Sequence, residues 1–303
     1  MVYGIYQLLS RLPLSILYGL ATVGAWALEF VFRYRRSVIT SNLSQSFPQL
    51  AAEEIQGLRR RFYRSLADTT LEIIGGAHAP LEFFRKRIDV TNIELLHELS
   101  QEGSQTVIVM LGHQGNWEWM LHRAATEYDM PMAFIYKTLH SAAADRFSLE
   151  TRCRFGAEAI EMHKAARNMI RNRRKPRIIY ILGDQSPGQR ERVHWARFLN
   201  RDTPFFSGAA VLAKATGYPV AFAACRRTKR GHYHVTLSEL ATRPNELEEE
   251  EITARYAQAL EQAIERAPED WLWSNRRWKY QAEASSSAPA SSAERDIQSN
   301  PSD

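Results

Sequence analysis

The chain has 303 residues, 45% of them hydrophobic, and a formal net charge of +5; that is enough for one large domain or two small ones around a sizeable core. Two cysteines, Cys153 and Cys225, exclude a disulfide scaffold, and neither belongs to a C-x-x-C pair. Residues 281–303 hold four acids against Arg295 alone, so the rest carries about +8, a balance that suits nucleic acid, an acidic membrane surface or a phosphorylated substrate.

Pro13 to Phe32 is an apolar run with one formal charge, Glu29. At about 1.5 Å per residue it reaches roughly the 30 Å of a hydrocarbon core, so it is long enough to span a bilayer or to lie in its interface. Arg33, Arg35 and Arg36 follow it and only Arg11 precedes it. That asymmetry argues against a signal peptide and, for a spanning helix, places the main body in the cytoplasm.

Between Ala51 and Gly75, Ile55, Leu58, Phe62 and Leu66 recur at helical spacing, with Arg59, Arg60, Arg61 and Arg64 around the rest of the cylinder. This predicts a basic amphipathic helix, either packed on the core or touching anionic headgroups. From Thr106 onward, short apolar runs alternate with helical stretches. Thr106–Leu111, Met132–Tyr136, Arg177–Leu182, Pro219–Ala224 and His232–Leu240 read as strands; Trp117–Ala125, Lys164–Arg173, Gly208–Thr216 and Glu246–Arg266 read as helices. The fold class is therefore α/β, a mixed sheet covered by helices with an N-terminal membrane-anchoring helix, and ligands are expected at the carboxyl ends of strands. After Tyr280 the composition is Ser, Ala, Pro and charge, too poor in apolar surface to offset the entropy of ordering.

The strand Thr106–Leu111 ends at Gly112, and His113 follows at its carboxyl end. Gly115 permits a tight turn, Asn116 is a good helix N-cap, and Glu118 falls in the first turn of the next helix. A carboxylate returning from the helix start can accept the imidazole's second N–H and fix its tautomer, leaving the other nitrogen to take a proton from an attacking hydroxyl. Backbone N–H groups at the helix start, or a cationic side chain, can stabilise the oxyanion. Zinc helices use ligands at i and i+4, a spacing that His113 and Glu118 miss, so no metal is expected.

The string Gly112-His113-Gln114-Gly115-Asn116-Trp117-Glu118 resembles the lysophospholipid acyltransferase superfamily, whose signature is His, four residues, then Asp or Glu, and more closely the late acyltransferases of lipid A biosynthesis. Tyr34-Arg35-Arg36, Asn42-Leu43, Phe47-Pro48 and Pro268-Glu269-Asp270-Trp271-Leu272-Trp273 with Arg276-Arg277-Trp278-Lys279 extend the resemblance to nearly the whole chain. It implies transfer of a fatty acyl chain from acyl carrier protein, without further cofactor, to a hydroxyl of an anionic glycolipid at the cytoplasmic face of the bacterial inner membrane. His113 and Glu118 would be catalytic. Arg154, in Arg152-Cys153-Arg154-Phe155-Gly156, and Asp184, in Gly183-Asp184-Gln185, look like the family's functional arginine and second acidic position, with Asn116 and Lys137 as further substrate-binding or oxyanion candidates. Lys137 stands where many relatives carry arginine, and it lacks the bidentate fork.

The implied organisation is an anchor and basic flank at 1–36, a catalytic domain at 37–280 and a disordered tail at 281–303. Trp271, Trp273 and Trp278 beside the closing cations read either as an interfacial platform or as a packed lid, and Phe205-Phe206 as a wall of the acyl slot. Two alternatives keep other functions in view. One changes the acceptor to a lysophospholipid or an amino-acid lipid; the other is a basic membrane-surface or nucleic-acid-binding protein, although no nucleic-acid motif accompanies Leu58–Arg64 or Arg167–Arg177 and nucleic acid is not an expected partner.

Overall fold

A computed structural model describes residues 2–280 apart from 126, 129, 189 and 190; the expected tail at 281–303 lies outside the described residues. The chain opens with five helices: α1 (Val2–Leu9), α2 (Leu14–Trp26), α3 (Arg36–Ser46), α4 (Ala52–Gly75) and α5 (Leu81–Arg85), with a π-turn at Ala27–Val31 continuing α2. It then alternates: β1 (Ile88–Thr91), α6 (Glu94–Leu99), β2 (Val107–Leu111), α7 (Trp117–Ala124), β3 (Met132–Tyr136), α8 (Ala142–Cys153), β4 (Glu158–Glu161), α9 (Ala165–Arg171) and β5 (Ile178–Leu182). A hairpin of β6 (Val193–Phe198) and β7 (Arg201–Phe206) precedes α10 (Gly208–Thr216), β8 (Val220–Lys229), β9 (His232–Ala241) and α11 (Glu249–Arg266).

Seven strands form one mixed sheet in the order β1-β9-β8-β2-β5-β3-β4, with β8 and β9 antiparallel and the other neighbouring pairs parallel. The expected α/β sheet covered by helices is thus the fold observed. Every residue of β2 is buried, as a central strand covered on both faces requires. Side-chain alternation sends Val107, Val109 and Leu111 into the core shared with Trp119 and Met120 of α7, and Ile108 and Met110 into the core shared with Leu260 and Ile264 of α11. In β2 and β5, Leu111 lies opposite Leu182. Their carboxyl ends therefore open side by side at one edge, and this register positions the site.

Leu14–Val31 is long and apolar enough to cross a bilayer by length and composition. One face of it packs on the body: Leu17, Ala21 and Ala25 are buried, and a Cβ on Gly75 of α4 would sit 2.6 Å from Leu17 Cδ1. The basic helix α4 buries Ile55, Leu58 and Phe62 as its spacing predicts. Arg59 departs from that pattern. It is buried, because Glu29 on the inner face of the apolar helix meets it at 3.7 Å and Thr40 accepts from it at 3.0 Å.

Candidate active site

Gly115 has φ of +60°, and a Cβ there would lie 2.7 Å from Cys225 Sγ and 2.8 Å from the Cys225 carbonyl, so only glycine fits this turn. The turn delivers Asn116 to the N-cap of α7, where its Oδ1 accepts from Trp119 N at 3.1 Å while its Nδ2 donates to Glu72 at 3.1 Å. Asn116 is thereby spent on structure. By position, the N–H groups of Trp117 and Glu118 have no acceptor within the helix, and both residues line a cavity together with His113.

His113 stands two residues beyond β2 and Asp184 two residues beyond β5, so the strand register brings them together. His113 Nδ1 lies 2.6 Å from Asp184 Oδ1, and the His113 backbone N–H donates to Oδ2 at 2.8 Å. Trp271 Nε1 donates to the same Oδ2 at 2.8 Å. Burial works to raise the Asp184 carboxyl, but the contacts from His113 and Trp271 outweigh it and hold the group below the usual carboxylate range. An ionised Asp184 accepts the Nδ1 proton, which leaves Nε2 as the basic nitrogen; Gln185 Nε2 reaches it at 3.1 Å. The imidazole also packs edge-on against Trp117, with centroids 5.0 Å apart.

The sequence reading gave Glu118 as the partner of the imidazole's second N–H; the structure gives that place to Asp184. Glu118 instead forms a bidentate pair with Arg152, whose Nε donates to Oε2 at 2.6 Å and whose Nη2 meets Oε1. Burial raises the Glu118 carboxyl and Arg152 overrides it, so this group also lies below the usual range. Two carboxylates thus flank the imidazole, one through a hydrogen bond and the other across the cavity wall.

Arg154 does not join this cluster. Its Nη1 donates to the Gly76 and Ala77 carbonyls at 3.2 and 2.7 Å, closing the end of α4. Arg152 occupies the neighbourhood expected of Arg154, because two residues on the end of a helix point to nearly opposite sides. Lys137 is exposed just beyond β3. The closing aromatic segment is a packed lid rather than an interfacial platform: Trp271 and Trp273 are buried, Gly115 N–H donates to the Asp270 carbonyl at 3.0 Å, and Gln114 bridges to Trp271. Phe205 is core against Phe198 and Tyr256 and takes no part in the cavity wall. Arg277 is fully buried over the Phe205 ring at 4.4 Å, and its three nitrogens find no hydrogen-bond partner among the described residues; burial lowers its pKa to about 10, with Asp184 pulling the other way.

The cavity measures about 350 Å³ and runs from His113, Trp117 and Glu118 to apolar walls that include Phe62 and Ile74 of α4, Phe147 of α8 and Tyr6 of α1. Such a chamber can hold an apolar chain with its reactive end beside the imidazole. Sequence reasoning missed Gln185 and Tyr6. Gln185 lies inside a motif already quoted, but nothing in the sequence indicates that its side chain meets His113.

Over residues 1–280 the sequence matches the profile of the bacterial lipid A biosynthesis acyltransferase family. It is 25% identical over 279 residues to the lipid A biosynthesis palmitoleoyltransferase of Escherichia coli (strain K12), covering 91% of this chain and 89% of that protein. A lipid A biosynthesis acyltransferase of Shigella flexneri matches to the same extent, 25% over 279 residues with 91% and 89% covered. The lipid A biosynthesis lauroyltransferase of the same E. coli strain is 22% identical over 286 residues, with 92% and 90% covered. With a profile match over residues 1–280, the chain belongs to the bacterial lipid A biosynthesis acyltransferase family.

Proposed function

We propose that the protein transfers a fatty acyl chain from acyl carrier protein to a hydroxyl of a lipid A precursor, at the cytoplasmic face of the inner membrane. The acyl chain lies in the apolar cavity and presents its thioester carbonyl to His113. The acceptor hydroxyl replaces Gln185 at His113 Nε2, gives up its proton there and attacks the carbonyl carbon. Asp184 holds the imidazole's tautomer and stabilises the imidazolium that forms, and the ionised Glu118 adds to that stabilisation through space. The N–H groups of Trp117 and Glu118 receive the oxyanion. Collapse of the tetrahedral intermediate breaks the C–S bond, and the imidazolium returns the proton to the departing thiolate.

The observation that carries this reading is an imidazole whose Nδ1 is held at 2.6 Å by a buried carboxylate at the polar end of an apolar chamber. It is tested by incubating the purified protein with acyl-carrier-protein thioesters and a mixture of lipid A precursor and lysophospholipids, with His113→Ala as control, and weighing the lipid products by mass spectrometry. Histidine-dependent acylation of the precursor is the expected result. Acylation of a lysophospholipid alone would move the protein to a different acceptor, and no transfer to either would overturn the reading.

A further inference from the structure

A helix that crosses a bilayer separates its two flanks by roughly the 30 Å of the hydrocarbon core. Here both flanks of the apolar run are tied to one folded body. Before it, Tyr3 Oη donates to Glu150 Oε2 at 2.5 Å and the Tyr6 ring packs on Phe147 with centroids 5.2 Å apart; both partners belong to α8. After it, the Tyr34 carbonyl accepts from Tyr63 Oη of α4 at 2.7 Å, and Arg35 Nη1 donates to the Ser274 carbonyl at 2.8 Å. The middle is held too: Tyr18 Oη donates to Glu72 Oε1 at 3.1 Å, and Arg230 Nη2 donates to the Tyr18 carbonyl at 2.9 Å. Charged groups therefore line one side of the helix along its length, where a lone spanning helix would meet hydrocarbon.

The other side is bare and apolar. Ile16, Leu20, Val23 and Phe30 recur at helical spacing opposite Leu17, Ala21 and Ala25, with 46% to 65% of each exposed, and Val2, Ile5 and Leu8 of α1 are exposed as well. Most of the exposed large apolar side chains among the described residues lie in these first 34 positions, a patch that a soluble surface does not leave uncovered. Exposed Arg11 stands between α1 and α2, and exposed Arg33 and Arg35 follow the π-turn.

We infer that α1, α2 and the π-turn form a monotopic docking face, seated with its apolar stripe in one leaflet of an anionic bilayer, and that the chain does not cross the membrane. Charge selects this occupant. Anionic headgroups complement the flanking guanidiniums, whereas a second copy of the chain covering the same stripe would set like charges against each other. Because α1 exposes Val2, Ile5 and Leu8 on one side and turns Tyr6 into the cavity wall on the other, the membrane-seated helices help enclose the chamber that leads to His113. The inference takes from the proposed function only the cytoplasmic leaflet, and the docking face itself stands independently of acyl transfer.

The test uses the full chain with protease-cleavable epitope tags at both ends, expressed in a Gram-negative host. In intact spheroplasts treated with protease, both tags are expected to survive until the cells are lysed; loss of one tag while the other survives overturns the inference, and loss of both overturns the cytoplasmic placement taken from the proposed function. A second measurement uses purified protein and the double variant Val23→Asp/Phe30→Asp, whose sites face outward. Its thermal unfolding is expected to match the wild type, while cosedimentation with phosphatidylglycerol-containing vesicles falls about tenfold or more. Undiminished cosedimentation of the variant, equal binding of the wild type to phosphatidylcholine vesicles, or a wild-type dimer that ignores vesicles would each refute it.

Discussion

Asp184 and Glu72 are both buried carboxylates beside the Gly112–Trp117 turn, and each gathers several donors. Glu72 receives Tyr18 Oη and Asn116 Nδ2 at 3.1 Å each, receives Tyr233 Oη, and faces Arg227 at 3.6 Å. Its partners are themselves committed: Asn116 caps α7, and Arg227 Nη1 also meets Asp68 Oδ2 at 3.1 Å. Asp184 receives His113 N–H, His113 Nδ1 and Trp271 Nε1. One of these donors, the imidazole, has a second nitrogen on a cavity. Burial and charge are therefore poor guides to function; what distinguishes the two clusters is whether a partner keeps a proton-accepting atom on the cavity, held only by a displaceable side chain such as Gln185.

Substitutions can break this contrast, and the largest effect is expected at His113. His113→Ala should lower transfer by about 10³-fold or more while leaving the thermal midpoint within about 2 °C, as lipid product analysis and thermal unfolding would show. Asp184→Asn should follow at about 10²- to 10⁴-fold in kcat, since an amide no longer fixes the tautomer. The same variant carries a pH signature. Asp184 is held below the usual carboxylate range, so its contribution to stability is present at neutral pH and fades as pH falls through its folded pKa. Urea unfolding of the wild type should thus weaken on acidification more than that of Asp184→Asn.

Glu118→Gln sharpens the comparison from the second carboxylate. Its imidazolium stabilisation acts through space, so a loss on the order of 10²-fold is expected, with less effect on the tautomer-dependent pH profile than Asp184→Asn. For Glu72→Gln the weight shifts to folding: stability should fall by about 1–3 kcal/mol, because the Tyr18, Tyr233 and Asn116 donors lose a charged acceptor while Arg227 keeps Asp68, and the folded fraction keeps transfer within about tenfold of wild type. A folded Glu72→Gln protein as inactive as Asp184→Asn would erase the distinction. The smallest effect belongs to Gln185→Ala, which frees His113 Nε2 for the acceptor and should lower its KM by about twofold to fivefold, read from initial rates.

Much of this arrangement was legible in the sequence. Buried runs such as Val107–Leu111 and the caps around α7 are local signals, and their positions agree with the structure to within a few residues at most boundaries. The order of strands is not a local signal. Asp184 could be placed after a strand, but only the pairing of β5 with β2 sets it against His113 rather than one strand away. Glu118 misled because the motif's spacing shows that it returns toward the histidine, and not that Arg152 of a later helix claims both its oxygens. The β6–β7 hairpin leaves little trace in the sequence, because its turn uses Leu199 and Asn200 at φ of +48° and +66°, with no glycine to announce it. Helical spacing places Arg59 on the outer face, and its partner, Glu29, sits in a segment that otherwise reads as membrane.

The position of Tyr6 bears on how this protein can be shortened. Deleting the first 34 residues to gain solubility would remove one wall of the chamber, the Tyr18 donor to Glu72 and the Glu29 partner of Arg59. On the proposed reaction, water let in through that gap would compete with the lipid hydroxyl for the thioester. A trimmed chain that still binds the proposed donor would then spend acyl groups on hydrolysis, which would make the N-terminal helices part of the reaction vessel as well as its mooring.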